Sequence, residues 1–356
     1  MMLDAYIVGA VRTAGGRKKG RLSKVHPIDL GAEAVDALVE RVGIPVAEID
    51  DLIFGCVSQV GAQSSNIGRG VCLSSVLGEG VPGTTVDRQC GSGQQAIHFA
   101  AQGVLSGTQD VVIAGGVESM SQVPIGANII DGFKAEHGLP YGEKLGERYP
   151  GVQFNQFTGA ELLVKKYELT SDELNAFALS SHMKAKQAVE EGRFDKEIAP
   201  VEIELEDGSR EMHVQDEGIR MEATLDAISG LEPMAEGGVL TAANASQICD
   251  GASAVMIANG ATCKRLGLKP MARIVAMSVI GSDPVIMLEG PIPATEKVLA
   301  TAGLKLEDID LFEVNEAFGS VPLSWVKALG ADIDKLNVNG GAQALGHPLG
   351  ATGAKL

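Results

Sequence analysis

Aromatic residues are scarce in this chain, at 4% of 356 residues with one tryptophan. Cations are short as well: 29 Lys and Arg face 46 Asp and Glu, a net charge of −17. That deficit excludes a nucleic-acid partner, which needs clustered Lys and Arg against its phosphates. A small anionic ligand stays compatible if local donors hold it. No run of 18 apolar residues occurs, so no spanning helix and no membrane partner is expected. Residues 1–10 carry Asp4 and lack a basic region followed by an apolar core, so no secretory signal is read there. Five cysteines, an odd number without a CxxC pair, fit a reducing compartment, and the expected location is cytoplasmic. The histidines show neither HxxxH nor Cys/His ligand spacing, so no metal site is expected. No GxGxxG follows a strand and no Walker sequence occurs, which disfavours NAD and nucleoside triphosphates.

What is present is glycine, 45 residues of it, and a rhythm of strands and helices. Residues 5–11, 52–57, 84–87 and 110–116 read as strands; 29–42 and 94–105 read as helices. This alternation predicts an α/β fold with a largely parallel sheet. A second copy follows. Gly43-Ile-Pro-Val-Ala-Glu-Ile-Asp resembles Gly303-Leu-Lys-Leu-Glu-Asp-Ile-Asp at a constant offset of 260 residues. Strands are predicted at 310–314 and 336–339 in this copy. The matching order of elements around both segments favours duplication over chance similarity. Residues 120–245 differ in composition, with a long helix at 171–191 and a charged stretch at 197–220 holding two short alternating runs. The expected organisation is an N-terminal half (1–119 and 246–270), an inserted loop domain (120–245) and a C-terminal half (271–356).

Two loops carry the strongest chemical signal. Cys90 lies in Asp87-Arg88-Gln89-Cys90-Gly91-Ser92-Gly93, between a strand and a helix. A helix N-terminus lowers a thiol pKa and favours the nucleophilic thiolate. The bland alternative is a small buried residue in a tight turn. Cys56, Cys72, Cys249 and Cys263 read as packing residues. His347 sits among glycines in residues 339–353, where a core role is hard to argue. An imidazole with a pKa near neutrality would serve as base for a thiol. If the halves are related by a pseudo-twofold, both loops lie at the C-terminal ends of central strands and face one crevice. Asn315, after the strand 310–314, is either an Asx turn or cap, or a donor to a developing oxyanion.

Together these segments resemble the thiolase family. The resemblance is carried by Val86-Asp-Arg-Gln-Cys90-Gly-Ser-Gly, Gly115-Gly-Val-Glu-Ser-Met-Ser, Asn315-Glu-Ala-Phe, and Asn337-Val-Asn-Gly-Gly-Ala with Gly346-His347-Pro-Leu-Gly-Ala-Thr-Gly. Val8-Gly-Ala-Val-Arg-Thr and Thr241-Ala-Ala-Asn-Ala-Ser246 add to it, so it runs the length of the chain in the family's order. It implies a duplicated α-β-α-β-α layered fold with an inserted loop domain. It also implies ping-pong acyl transfer to coenzyme A, a substrate and not a permanently bound cofactor, in a homodimer or homotetramer. Cys90 would take the acyl group, His347 would activate the thiol and join the oxyanion hole, and Asn315 would hold that hole's water. Arg220, Ser246, Met287 and Phe318 match positions that contact coenzyme A.

Two departures accompany the resemblance. The family's C-terminal Cys-x-Gly segment has no counterpart here, and by the repeat roughly 30–40 residues are missing, which implies a chain defective in thiolysis. Gln156-Phe157-Thr158-Gly159-Ala160-Glu161 also lacks the methionine of many short-chain members, which points to a substrate longer or bulkier than acetoacetyl-CoA. A decarboxylating ketosynthase is disfavoured because Asn315 stands where that class places a histidine. The remaining alternative is a non-catalytic acyl-CoA-binding protein on the same scaffold, which Cys90 and His347 argue against.

Overall fold

The computed structural model describes residues 4–356. Its main sheet is built from β1 (Ala5–Thr13), β2 (Asp51–Gly55), β3 (Gly83–Val86), β4 (Val111–Ser119), β5 (Cys249–Asn259) and β6 (Ala272–Arg273), in the order β6-β1-β5-β4-β2-β3. β2 runs parallel to β3 and β4, whereas β5 pairs antiparallel with both β1 and β4. The sheet is therefore mixed, not largely parallel. β5 arrives only after the long insertion, from the opposite end, and no alternation in the first 116 residues announces it. β4 and β5 are buried throughout, as central strands covered on both faces must be. β3 lies at the sheet edge, so the Cys90 loop leaves an edge strand, not a central one.

Helices cover both faces. α1 (Pro27–Val42) starts with proline at its first turn and ends at Gly43 in the left-handed region. It buries Leu30, Ala34, Val35 and Leu38 against Leu52, Phe54, Ile113 and Met256. On the opposite face, α2 (Ser92–Ser106) packs Ala96, Ala100, Ala101 and Val104 against Ile53, Val112, Ala114, Val255 and Ile257. Alanines on that face let α2 lie close to the sheet. A second core joins α3 (Gln156–Lys166), α4 (Ser171–Glu190) and α5 (Ser320–Leu329) through Leu163, Leu174, Phe177, Phe318 and Trp325. The charged stretch forms a hairpin, Val201–Glu204 with Arg210–His213. The chain's final described helix is α6 (Leu349–Lys355).

The internal repeat is visible in the backbone. Gly43 and Gly303 both cap a helix in the left-handed region, at φ 69° and 68°. Each is followed by a 3₁₀ turn, Val46–Glu48 and Leu306–Asp308, and then by an extended isoleucine. The copies diverge at the strands. Residues 310–314 and 336–339 share one parallel bridge, Phe312 with Leu336, and form no ladder. Asn337 explains the stop: at φ 46° it leaves the extended region. Its side chain then takes over the pairing, accepting from Val314 N–H (2.9 Å) and donating to Val314 C=O (2.9 Å).

Candidate active site

Cys90 is presented by a turn that the sequence builds from short polar side chains. Gln89 N–H donates to Asp87 Oδ1 (2.7 Å), Arg88 N–H to Ser92 Oγ (2.8 Å), and Ser92 O–H to Gln89 C=O (2.6 Å). Gln89 is held at φ 48°, a left-handed conformation that a non-glycine residue adopts at some cost. The turn feeds α2, and Cys90 is half-buried beside Val57, Met120 and Leu349.

His347 is buried, and its donors and acceptors fix its protonation. Thr352 O–H donates to Pro348 C=O (2.9 Å), so Thr352 Oγ receives the proton of His347 Nδ1 at 2.6 Å. That leaves His347 Nε2 as the lone-pair nitrogen, and Asn315 Nδ2 faces it at 3.4 Å. All three contacts are satisfied by this single tautomer. The His347 N–H donates to Gln247 C=O (3.1 Å), and Lys355 Nζ donates to Leu345 C=O (2.6 Å), tying down the loop from behind. Asn315 Oδ1 is buried without a protein partner and so keeps an acceptor free. Its neighbour Glu316 anchors the segment, accepting from Ser181 O–H (2.7 Å), Asn337 Nδ2 (2.9 Å) and Gln343 N–H (3.1 Å).

Glycines bring the two loops together. A Cβ on Gly55 would lie 2.5 Å from Gly350 C=O, and one on Gly353 would collide with Gln94 N. α6 therefore seats directly on the ends of β2 and α2, placing Leu349, two residues past His347, against Cys90. Neither group is charged at rest. Burial pushes the Cys90 thiol up to about 11 despite a backbone N–H pulling it down, and Glu118 and Asp87 add to the rise. Burial, with Lys355 nearby, holds His347 down to about 3. The expected low-pKa thiolate and near-neutral imidazole are thus both corrected. Desolvation outweighs the helix end, and the resting pair is thiol and neutral imidazole.

The other predicted residues lie around this centre. Ser246 N–H donates to Ala317 C=O (2.9 Å), one residue from Phe318. Phe318 is buried edge-on to the exposed Phe157, with ring centroids 5.3 Å apart. Met287 packs on the start of α3: a Cβ on Gly159 would lie 3.3 Å from its Cγ. Arg220 is exposed, away from this cluster's contacts, with its N–H on His182 Nδ1 (3.1 Å). Sequence reasoning passed over Thr352, Lys355 and Glu118. Glu118 had a signal, a carboxylate inside an apolar strand; Thr352 and Lys355 had none short of the fold. Among the described residues, no His, Cys, Asp or Glu group is placed to hold a metal ion. Among them, no helix is long and apolar enough to cross a membrane.

The family model for the thiolase N-terminal domain matches residues 5–261, and that for the thiolase C-terminal domain matches residues 268–356. The chain belongs to the thiolase family. Thiolases are acyltransferases, and the α/β fold is theirs: over 99% of this chain, the acetyl-CoA acetyltransferase of Bacillus anthracis superposes with a TM-score of 0.90 at 38% identity, covering 90% of that chain. Human mitochondrial 3-ketoacyl-CoA thiolase gives 0.89 at 37%, with the same coverage of both chains. In sequence, the chain is 49% identical over its full length to the steroid 3-ketoacyl-CoA thiolase FadA6 of Mycobacterium tuberculosis, covering 86% of that protein. It is 42% identical to the 3-ketoacyl-CoA thiolase of Bacillus subtilis, again over its full length and covering 91% of that protein.

Proposed function

We propose that this thiolase transfers an acyl group between a 3-ketoacyl-CoA and coenzyme A through a thioester on Cys90. The observation that carries the reading is the chain Asn315–His347–Thr352–Pro348, which leaves His347 Nε2 as an acceptor. As Cys90 Sγ attacks the 3-keto carbon, Nε2 takes the thiol proton. The C2–C3 bond breaks, the acetyl-CoA carbanion takes up the proton that His347 Nε2 received from Cys90, and the coenzyme A thiol then attacks the thioester, taking the shortened acyl group and returning its proton to Cys90. Asn315 Oδ1 is suited to hold a water whose other hydrogen, with protonated Nε2, meets the developing oxyanion.

Arg220, Ser246, Met287 and Phe318 are proposed to contact coenzyme A. The chain is proposed to divide into two halves, 1–119 with 246–270 and 271–356, with 120–245 as the loop domain, and whole chains are proposed to assemble as a cytoplasmic homodimer or homotetramer. An acyl group bulkier than acetoacetyl is supported by the absence, in residues 156–161, of the methionine of many short-chain members, and by the name of the Mycobacterium tuberculosis relative, a steroid 3-ketoacyl-CoA thiolase. The test is thiolysis by the purified chain, comparing acetoacetyl-CoA with a long-chain or polycyclic 3-ketoacyl-CoA. A kcat/KM at least ~10-fold higher for the bulky substrate is expected. Failure on every 3-ketoacyl-CoA by a folded sample that still acylates Cys90 would favour the expectation of a chain defective in thiolysis; failure without any Cys90 adduct would favour the acyl-CoA-binding alternative.

A further inference from the structure

Among the described residues, Glu118 is the one buried carboxylate that touches both sides of the site. It is the penultimate residue of β4, is fully buried, and spends its two oxygens on donors from three places in the chain, residues 56–58, Gln63 and Gly350, with Cys56 Sγ the longest contact at 3.9 Å. Oε2 accepts from Val57 N–H (3.0 Å) and from Gly350 N–H (2.8 Å). Oε1 accepts from Ser58 N–H (3.0 Å) and from Gln63 Nε2 (2.8 Å). Val57 packs against Cys90, and Gly350 follows Leu349 at the start of the helix that begins beyond His347. One oxygen thus bridges the Cys90 wall and the His347 helix. Gly350 N–H is among the donors that a helix leaves free at its N-terminus, so a carboxylate suits it. The serine and glutamine contacts orient the bridging oxygen. No other buried carboxylate joins these segments among the described contacts: Glu316 serves the Asn315 side, and Asp216 pairs with Arg12.

We infer that Glu118 is a positioning residue for acyl transfer, holding the Cys90 wall and the His347 helix in register. Its charge adds to the rise that burial imposes on the Cys90 thiol, while burial raises its own pKa against the pull of its four N–H donors. The assignment rests on Cys90 and His347 being the reacting pair. Glutamine cannot replace it, because an amide nitrogen donates where either pair of N–H groups needs an acceptor. Aspartate keeps the charge but is one methylene shorter and cannot reach both walls. The side chain touches no reacting atom, so the two variants separate geometry from charge.

The test uses the full chain and two readouts. In thiolysis, E118Q and E118D should each lose ~10–100-fold in kcat with KM for the acyl-CoA changed by less than ~3-fold. Iodoacetamide labelling, with the adduct mapped to Cys90 by mass spectrometry, gives the pH midpoint of the thiol without any substrate. The midpoint should fall in E118Q and stay closer to wild type in E118D, because only the first removes the carboxylate. Equal midpoint shifts in both variants would mean simple loosening of the site and overturn the charge assignment. Turnover within 2-fold of wild type in E118D would overturn the positioning role, and that variant decides the matter if E118Q does not fold. A label absent from Cys90 in the wild type would instead count against the nucleophile assignment, whatever the variants do.

Discussion

The Cys90 and His347 loops are both glycine-rich and both open a helix, yet they are built to opposite ends. Cys90 rides a strained turn with Gln89 at φ 48° and remains half-buried. His347 is buried, with both ring nitrogens engaged and its backbone N–H bonded. A nucleophile has to be reached by substrate, whereas a base has to be held in one tautomer. The difference teaches that desolvation outweighs a helix end at this site. With the thiol held up to about 11 and the imidazole down to about 3, the proposed nucleophile and base rest as a neutral pair and not as an ion pair.

The comparison breaks most sharply at the reacting groups. C90A should abolish thiolysis, and H347N should cost ~10³–10⁴-fold in kcat, both read by loss of 3-ketoacyl-CoA. N315A comes next, at ~10²–10³-fold, because one oxyanion partner is removed while the thiol and base remain. T352V should cost ~10-fold, through a loosened tautomer, with unchanged acyl-CoA KM. G353A acts on the seam between the loops: its Cβ collides with Gln94 N, so stability should fall by ~1–3 kcal/mol, read as a lower melting temperature.

A separate effect is on pH-dependent stability. His347 is held near 3 in the fold against 6.5 unfolded. The unfolded chain therefore binds the extra proton between those values, and stability present above pH 6.5 is lost as the pH falls toward 3. Melting temperatures of wild type and H347N, compared from pH 7 to 4, should show a steeper fall for wild type.

Much of this was legible in the sequence because local chemistry specified it. Strands β1 to β4, helices α1 and α2, and the capping glycines at 43 and 303 follow from periodicity and turn residues. The Cys90 and His347 loops stood out because glycine and proline surround a reactive side chain. The return of residues 246–270 to the N-terminal half was expected, but the antiparallel direction of β5 was not legible, since nothing local says from which end a strand after a long insertion will dock. Nor was the break at Asn337, where a side chain replaces the ladder. The raised thiol pKa was missed for a related reason: a helix N-terminus is read from sequence, but desolvation by Val57, Met120 and Leu349 exists only once distant segments meet.

Covalent capture tests the role of the pair most directly. The folded chain is incubated with a 3-ketoacyl-CoA without free coenzyme A, quenched in acid, and mapped by peptide mass spectrometry. A shortened acyl group on Cys90 is expected, absent in H347N on the same timescale and removed when coenzyme A is added. An acyl group on another residue, or equally fast labelling of Cys90 in H347N, would contradict the roles given to the two loops.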